Sequence, residues 1–346
     1  MASSRKKGTN EHISTYGNAT RDYTSLATWE ADTDNDLVTL AQSEVLECYD
    51  DAASFNDYVT LDGAITNASY FRIIRPAAGQ GHDGTPNNGF TINNTTDIAA
   101  IILKENNSQI QDLIVFNTID SSTTRNACSL QTTGAFIGCI AKSTNATASG
   151  GRGFGVSTAG GGFLINCLAY KCKSMGIDFG AVAGQTMNAY CCTAYGNGDT
   201  GFNIRNAVAG TINLISCLST ANTIKDFSAA ATPTKIVIYC ASGDDTADDW
   251  GGSGNRINQT FTFANTAIDD YHLAPNDAGA RNYGYPFETF NDDINDGIMG
   301  AGKAGQTRPG ESAWDIGFDE FVEPMPDRWH PSIEQPYSEK IEVIGY

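Results

Sequence analysis

The sequence has little positive charge, little histidine and no long apolar run, and each shortage excludes something. Lysine and arginine number 21 against 40 aspartates and glutamates in 346 residues, a formal net charge of −19. So acidic a chain is repelled by phosphate backbones and anionic lipid, so neither nucleic acid nor a membrane surface is an expected partner. No stretch approaches the roughly 18 apolar residues of a membrane span. The opening MASSRKKGTNEH has basic residues but no apolar segment after them, so a Sec signal peptide is not expected. Nine cysteines lack the paired C-x-x-C spacing of a zinc site, and their odd number fits reduced thiols made in a reducing cytoplasm. Apolar runs of four to six residues broken by glycine exclude helical repeats, which need longer segments of 3.6 periodicity.

What is present is a repeat. Cys139, Cys167, Cys192, Cys217 and Cys240 fall in register at intervals of 28, 25, 25 and 23 residues (167 − 139, 192 − 167, 217 − 192, 240 − 217), with Leu113 one turn earlier. Two residues after each stands a small side chain: Val115, Ala141, Ala169, Ala194, Ser219, Ser242. Strand side chains alternate with period two, so each pair shares one face. A second column, Val156, Phe179, Ile204 and Phe227, preceded by Ile102 and Cys128, runs alongside. In three turns it precedes the cysteine by 13 residues (192 − 179, 217 − 204, 240 − 227). Short β-type runs at this period, separated by Gly, Asn, Ser and Thr, predict an all-β, right-handed parallel β-helix, one coil per repeat, with the cysteines stacked inside as small buried hydrophobes.

The organisation expected around it is an N-terminal arm over 1–20, an N-terminal cap and first coils over 21–97, regular coils over 98–260, a closing coil and cap over 261–321, and an extended tail over 322–346. The arm is polar and without periodicity, its order depending on a partner. Leu26, Trp29 and Leu37 are spaced for a short helix starting near Ser25 that covers the open end of the solenoid. Val45–Tyr49, Tyr58–Gly63 and Tyr70–Ile74 read as the first strands. In the tail, Pro324, Pro326, Pro331 and Pro336 forbid a long helix. Its Trp329, Tyr337, Ile341, Val343, Ile344 and Tyr346 either fold back on the solenoid or reach another subunit.

Candidate chemistry is sparse. His82-Asp83 lies in a glycine-rich loop with no nucleophile beside it and reads as a turn. Asp32-x-Asp34-x-Asp36 alternates carboxylates like a calcium loop, but Leu37 stands where glycine is needed; 291–297 fails similarly, so no metal or other cofactor is expected. Gly243 to Trp250 reads as a solvated acidic loop. Outward charges on the coils, Lys142, Lys171, Lys173, Asp178, Arg205 and Lys225, form no catalytic set. Asp178 and Asp226 have matching places two coils apart, about 10 Å by strand spacing, which suits an inverting pair of carboxylates without other support.

Asp270-Tyr271-His272-Leu273, Asp277-Ala278-Gly279, Gly305-Gln306-Thr307-Arg308 and Asp315-Ile316-Gly317-Phe318-Asp319-Glu320 resemble the closing segment of many right-handed parallel β-helix proteins. DYTSLATWEA and ECYDD resemble uncharacterised β-helix proteins of tailed phages and environmental sequences. The resemblance spans most of 21–321 and implies that the closing pieces form the last coil; by charge, Arg308 can pair with Asp315 or Asp319 there. Together with the missing catalytic set, the acidic body, the basic arm and the apolar tail, the phage-like resemblance gives the expectation of a non-enzymatic virion protein: a capsid decoration or cement protein on the virion surface, homo-oligomeric, contacting the major capsid protein or other virion proteins. The alternative is a tail spike or fibre that binds or depolymerises host polysaccharide as a lyase or glycoside hydrolase. The expected assembly contacts are the cationic Arg5, Lys6 and Lys7 and the tail residues Trp329, Tyr337 and Tyr346.

Overall fold

The computed structural model describes residues 6–96, 98–119, 126–144, 150–157, 161–180, 183–205, 209–229, 233–287 and 314–321. They form a parallel β-solenoid of about seven turns whose flanks are one sheet of nine strands and two of seven. One turn visits the sheets in order through Ala135–Ile137, Ile140–Ser143 and Arg152–Val156. The next follows with Phe163–Ile165, Leu168–Tyr170 and Ile177–Phe179, each strand parallel to its predecessor.

The cysteine column sits at the corner between the first and second sheets. Asp112, Gly138, Asn166, Cys191, Ser216 and Tyr239 all adopt positive φ, between 51° and 63°. That left-handed step, which Gly, Asn and Asp tolerate best, turns the next side chain inward. Those next residues are Leu113, Cys139, Cys167, Cys192, Cys217 and Cys240, every one fully buried. Cysteine suits the place because it is small and its thiol donates weakly to carbonyl oxygens. Cys167 Sγ lies 3.4 Å from Phe136 O, and Cys217 Sγ 3.3 Å from Ala189 O. Burial pushes the Cys167, Cys192 and Cys217 thiols well above their ordinary range, so they stay protonated. Cys191, one residue earlier, faces an outer cluster with Phe287 and Trp314.

The second column needs a correction at its ends. In the third sheet Leu103, Leu130, Val156, Phe179 and Ile204 do stack, but the next member is Ala229; Phe227 pairs instead with Phe202. Ile102 pairs with Ser129, one position off the core-facing column, and Cys128 belongs to the Phe202 column, pairing with Phe154. The last coil's connection, 230–233, is two residues shorter than 205–210 before it. The constant 13-residue spacing therefore slipped by one strand repeat there.

At the corner between the second and third sheets asparagines stack. Asn197 Nδ2 donates to Asn222 Oδ1 (2.8 Å), and Asn222 Nδ2 donates to Asp226 Oδ1 (2.7 Å). The first bond ties one coil's turn to the next and the second closes the turn within its own coil, satisfying polar groups that burial would otherwise strand.

The N-terminal end departs from expectation. Glu11–Tyr16, placed in the arm by its sequence, is the edge strand of the first sheet and pairs parallel with Ser43–Cys48 over six residues. Only Ser14 and Tyr16 of it are buried, too faint an alternation to read in advance. The expected helix is present as two pieces. The first, α1 (Leu26–Asp32), is capped by Ser25 and buries Leu26 and Trp29 in the core; the second, α2 (Leu37–Leu40), is capped by Asp36. Buried Arg72 ties this cap down: Nε donates to Glu105 Oε2 (2.8 Å), Nη1 to Glu30 O (2.8 Å) and Nη2 to Glu30 Oε1 (3.1 Å).

At the far end, Trp250 closes the core edge-on to Phe227, ring centroids 5.8 Å apart. The expected closing coil is instead a strap. Phe263–Asn265 and Asp270–Leu273 pair antiparallel, and with 314–321 they lie along the outside of the second sheet. The reason is on that outer face: Ile114, Ile140, Leu168 and Leu218 point outward and need cover, which Tyr271, Phe318 and Ile316 supply. Asp319 accepts from Leu273 N (2.9 Å) and Asp315 from Asn282 N and Phe321 N (each 2.7 Å), pinning the strap. Arg308 lies outside the described residues, as does the acidic run 291–297.

Candidate functional site

Of the expected assembly contacts, Arg5, Trp329, Tyr337 and Tyr346 lie outside the described residues. Lys6 and Lys7 are described and exposed. Lys6 is held by its backbone on the outer side of the first sheet: its N–H donates to Gln109 Oε1 (3.2 Å), and its carbonyl accepts from Gln111 Nε2 (3.1 Å). Gln109 and Gln111 come from the strand Gln109–Gln111, mid-sheet, so the chain start runs back along the flank. The sequence held no sign of this clamp beyond two glutamines at period-two spacing.

The outward charges do not converge on a catalytic set. Asp178 is fully buried between two arginines, its Oδ2 2.7 Å from both Arg152 Nε and Arg205 Nε, and its Oδ1 accepts from Asn203 Nδ2 (2.8 Å). No spacing in the sequence links Arg152 to Asp178; burial lowers the Arg152 pKa although Asp178 supports its charge. The matching of Asp178 with Asp226 fails, because Asp178 pairs with Asn203 and Asn203 with Ser228. Lys171 pairs with Asp269 of the strap, and Lys142 lies 5.1 Å from the centre of the Tyr170 ring.

His82 is buried and structural: its Nδ1 accepts from Gly84 N (3.1 Å) and its Nε2 lies 2.6 Å from Gly138 O. These partners select the neutral tautomer protonated at Nε2. Asp83 binds Thr85 and Asn88 within its own loop. Among the described residues no group of three or more His, Cys, Asp or Glu is placed to hold a metal ion.

The feature that does gather polar and aromatic groups is a cleft of about 650 Å³ between the last coils and the strap, bordered by Tyr195, Thr220, Asp226, Asp244, Phe261 and Phe263. Asp226 forms its floor and is 3% exposed. Its Oδ2 accepts from Gly243 N (2.7 Å) and Asp244 N (3.1 Å) and its Oδ1 from Asn222. Burial raises its pKa, the Asp244 charge adds to that, and these hydrogen bonds oppose it. Asp244 accepts from Asp226 N (2.9 Å) and Thr246 N (3.0 Å). Both carboxylates are thus committed to holding the last coil, which leaves the pair poorly placed to act as acid and base on a substrate.

No protein-family model matches the chain, and no curated protein matches it. Among solved structures it is similar to the crystal structure of pectate lyase Pel9A, with a TM-score of 0.45 and 12% identity over 87% of this chain and 97% of that one.

Proposed function

We propose that the protein is a non-enzymatic structural component of a phage particle, a capsid decoration or cement protein at the virion surface that contacts the major capsid protein or other virion proteins and its own copies. The observation that carries this reading is the clamp on Lys6. It sets two exposed lysines on the flank of a body whose net charge is −19. Acidic bodies repel one another, and packing many on one shell calls for local attraction of this kind. The commitment of Asp178, Asp226 and Asp244 to internal bonds supports the non-enzymatic part. The test is co-sedimentation of the purified chain with particles from the source that encodes it, compared with a chain lacking residues 1–8. This cut spares the Glu11–Tyr16 strand, unlike removal of 1–20, and the shortened chain is expected to stay folded and remain in the supernatant. Equal pelleting of both would remove the arm from the account. A second reading, a spike or fibre that binds host polysaccharide, is favoured by the cleft beside Phe261 and Phe263.

A further inference from the structure

We propose that this cleft is a binding site for a neutral oligosaccharide. Its volume, about 650 Å³, falls within the roughly 300–1,000 Å³ typical of small-ligand sites. Three half-buried rings, Tyr195, Phe261 and Phe263, border it. Thr220, Thr260, Thr262 and Thr266 also line it, and their hydroxyls have no partner among the described residues. A sugar matches that pairing, offering an apolar C–H face to a ring and a rim of hydroxyls to groups that both donate and accept.

The lining also excludes other ligand classes. It contains no lysine, arginine or histidine, so phosphates, sulfates and uronates meet only the Asp226 and Asp244 carboxylates. A cation finds those carboxylates already accepting from Asn222 and from the backbone N–H groups of Gly243, Asp226 and Thr246. A purely apolar ligand would strand the four threonine hydroxyls.

Another cleft, about 620 Å³, supplies a contrast. Both clefts border the same outward column of the second sheet, Asn93, Phe116, Lys142, Tyr170, Tyr195 and Thr220, one at either end of it. Tyr170, in the middle, lies under Tyr271 of the strap. In that other cleft Asp51 binds Arg21, Asn88 binds Asp83, and Asn87 donates to Ile268 O. Those three side chains are engaged, whereas the four threonine hydroxyls of the cleft beside Phe261 have no partner among the described residues.

The inference stands independently of the assembly reading. The experiment is a glycan array probed with the labelled full chain, printed with maltohexaose, cellohexaose, chitohexaose, yeast mannan, polygalacturonate and polysialic acid, with titration calorimetry on any hit. The wild-type chain is expected to bind at least one neutral glycan and neither acidic polymer. Thr220→Val with Thr262→Val keeps the side-chain shape and removes two hydroxyls. It is expected to leave the thermal midpoint in place and weaken binding about tenfold, the scale of two lost net hydrogen bonds. Lys6→Glu with Lys7→Glu is expected to bind glycan like wild type, separating this site from the arm. Absence of any neutral hit, preference for an acidic polymer, or unchanged affinity in the folded valine variant would overturn the proposal.

Discussion

Replacing Phe227 tests the corrected register of the last coil. Its ring stacks on Phe202 with centroids 5.1 Å apart and planes 7° from parallel, and both residues are fully buried. Truncating it to alanine is expected to cost about 3–5 kcal/mol, as for other buried aromatics. Part of that loss belongs to the pair, about 0.5–1.5 kcal/mol for stacked rings. The register follows from a double-mutant cycle of Phe202→Leu with Phe227→Leu, run beside a cycle of Ile204→Val with Phe227→Leu. The first is expected to show coupling of that size, and the second, between diagonal neighbours, a smaller one. Guanidinium unfolding followed by tryptophan emission suits the assay, because Trp250 contacts Phe227 directly. Coupling larger for Ile204 than for Phe202 would restore the uniform 13-residue column and refute the shortened last connection.

Further outcomes follow from the packing and the charges. Cys192→Asp puts an unpaired carboxyl into a fully buried corner and is expected to destabilise by several kcal/mol in a thermal or denaturant melt. All nine thiols are buried, so Ellman's reagent should find none reactive in the native protein and nine after guanidinium unfolding. Glu105→Gln removes one of the two carboxylate charges around buried Arg72, Glu30 remaining, and is expected to cost about 1.5–3 kcal/mol, with part of it recovered when Arg72→Met is added. Burial raises the Asp83 pKa, but bonds from Thr85 and Asn88 outweigh it and leave the net value lowered. Its stabilisation is therefore present above its unfolded value near 3.8 and is lost as pH falls through the lower folded one. Asp83→Asn should accordingly lower stability at pH 6, by an amount that shrinks as pH falls below 3.8, measured by unfolding across the acid range.

The coil was legible because a β-solenoid repeats its constraints. Cys139 to Cys240 recur because every coil needs a small inward residue after the same left-handed step, so one local demand is written five times. Information ran out where the demand is met once. The Glu11–Tyr16 strand buries only two side chains, the strap covers an outer face whose Ile114, Ile140 and Leu168 look like ordinary strand residues, and Arg152 reaches Asp178 only through the stacking of coils. The cleft is illegible in the sequence for the same reason. Tyr195 and Thr220 are neighbours across coils, while Phe261 and Phe263 arrive from the strap, and no spacing in the chain links the two.

The central functional claim is that exposed lysines on the flank dock an acidic body onto a particle, and charge reversal at those positions addresses it most directly. Lys6→Glu with Lys7→Glu leaves intact the backbone bonds to Gln109 and Gln111, so the fold and its melting temperature should not change. Co-sedimentation with purified particles across a salt series is then the decisive measurement. Wild-type binding is expected to weaken as salt rises, and the reversed chain to stay in the supernatant even at low salt. Wild-type and reversed chains pelleting alike, with no dependence on salt, would contradict it.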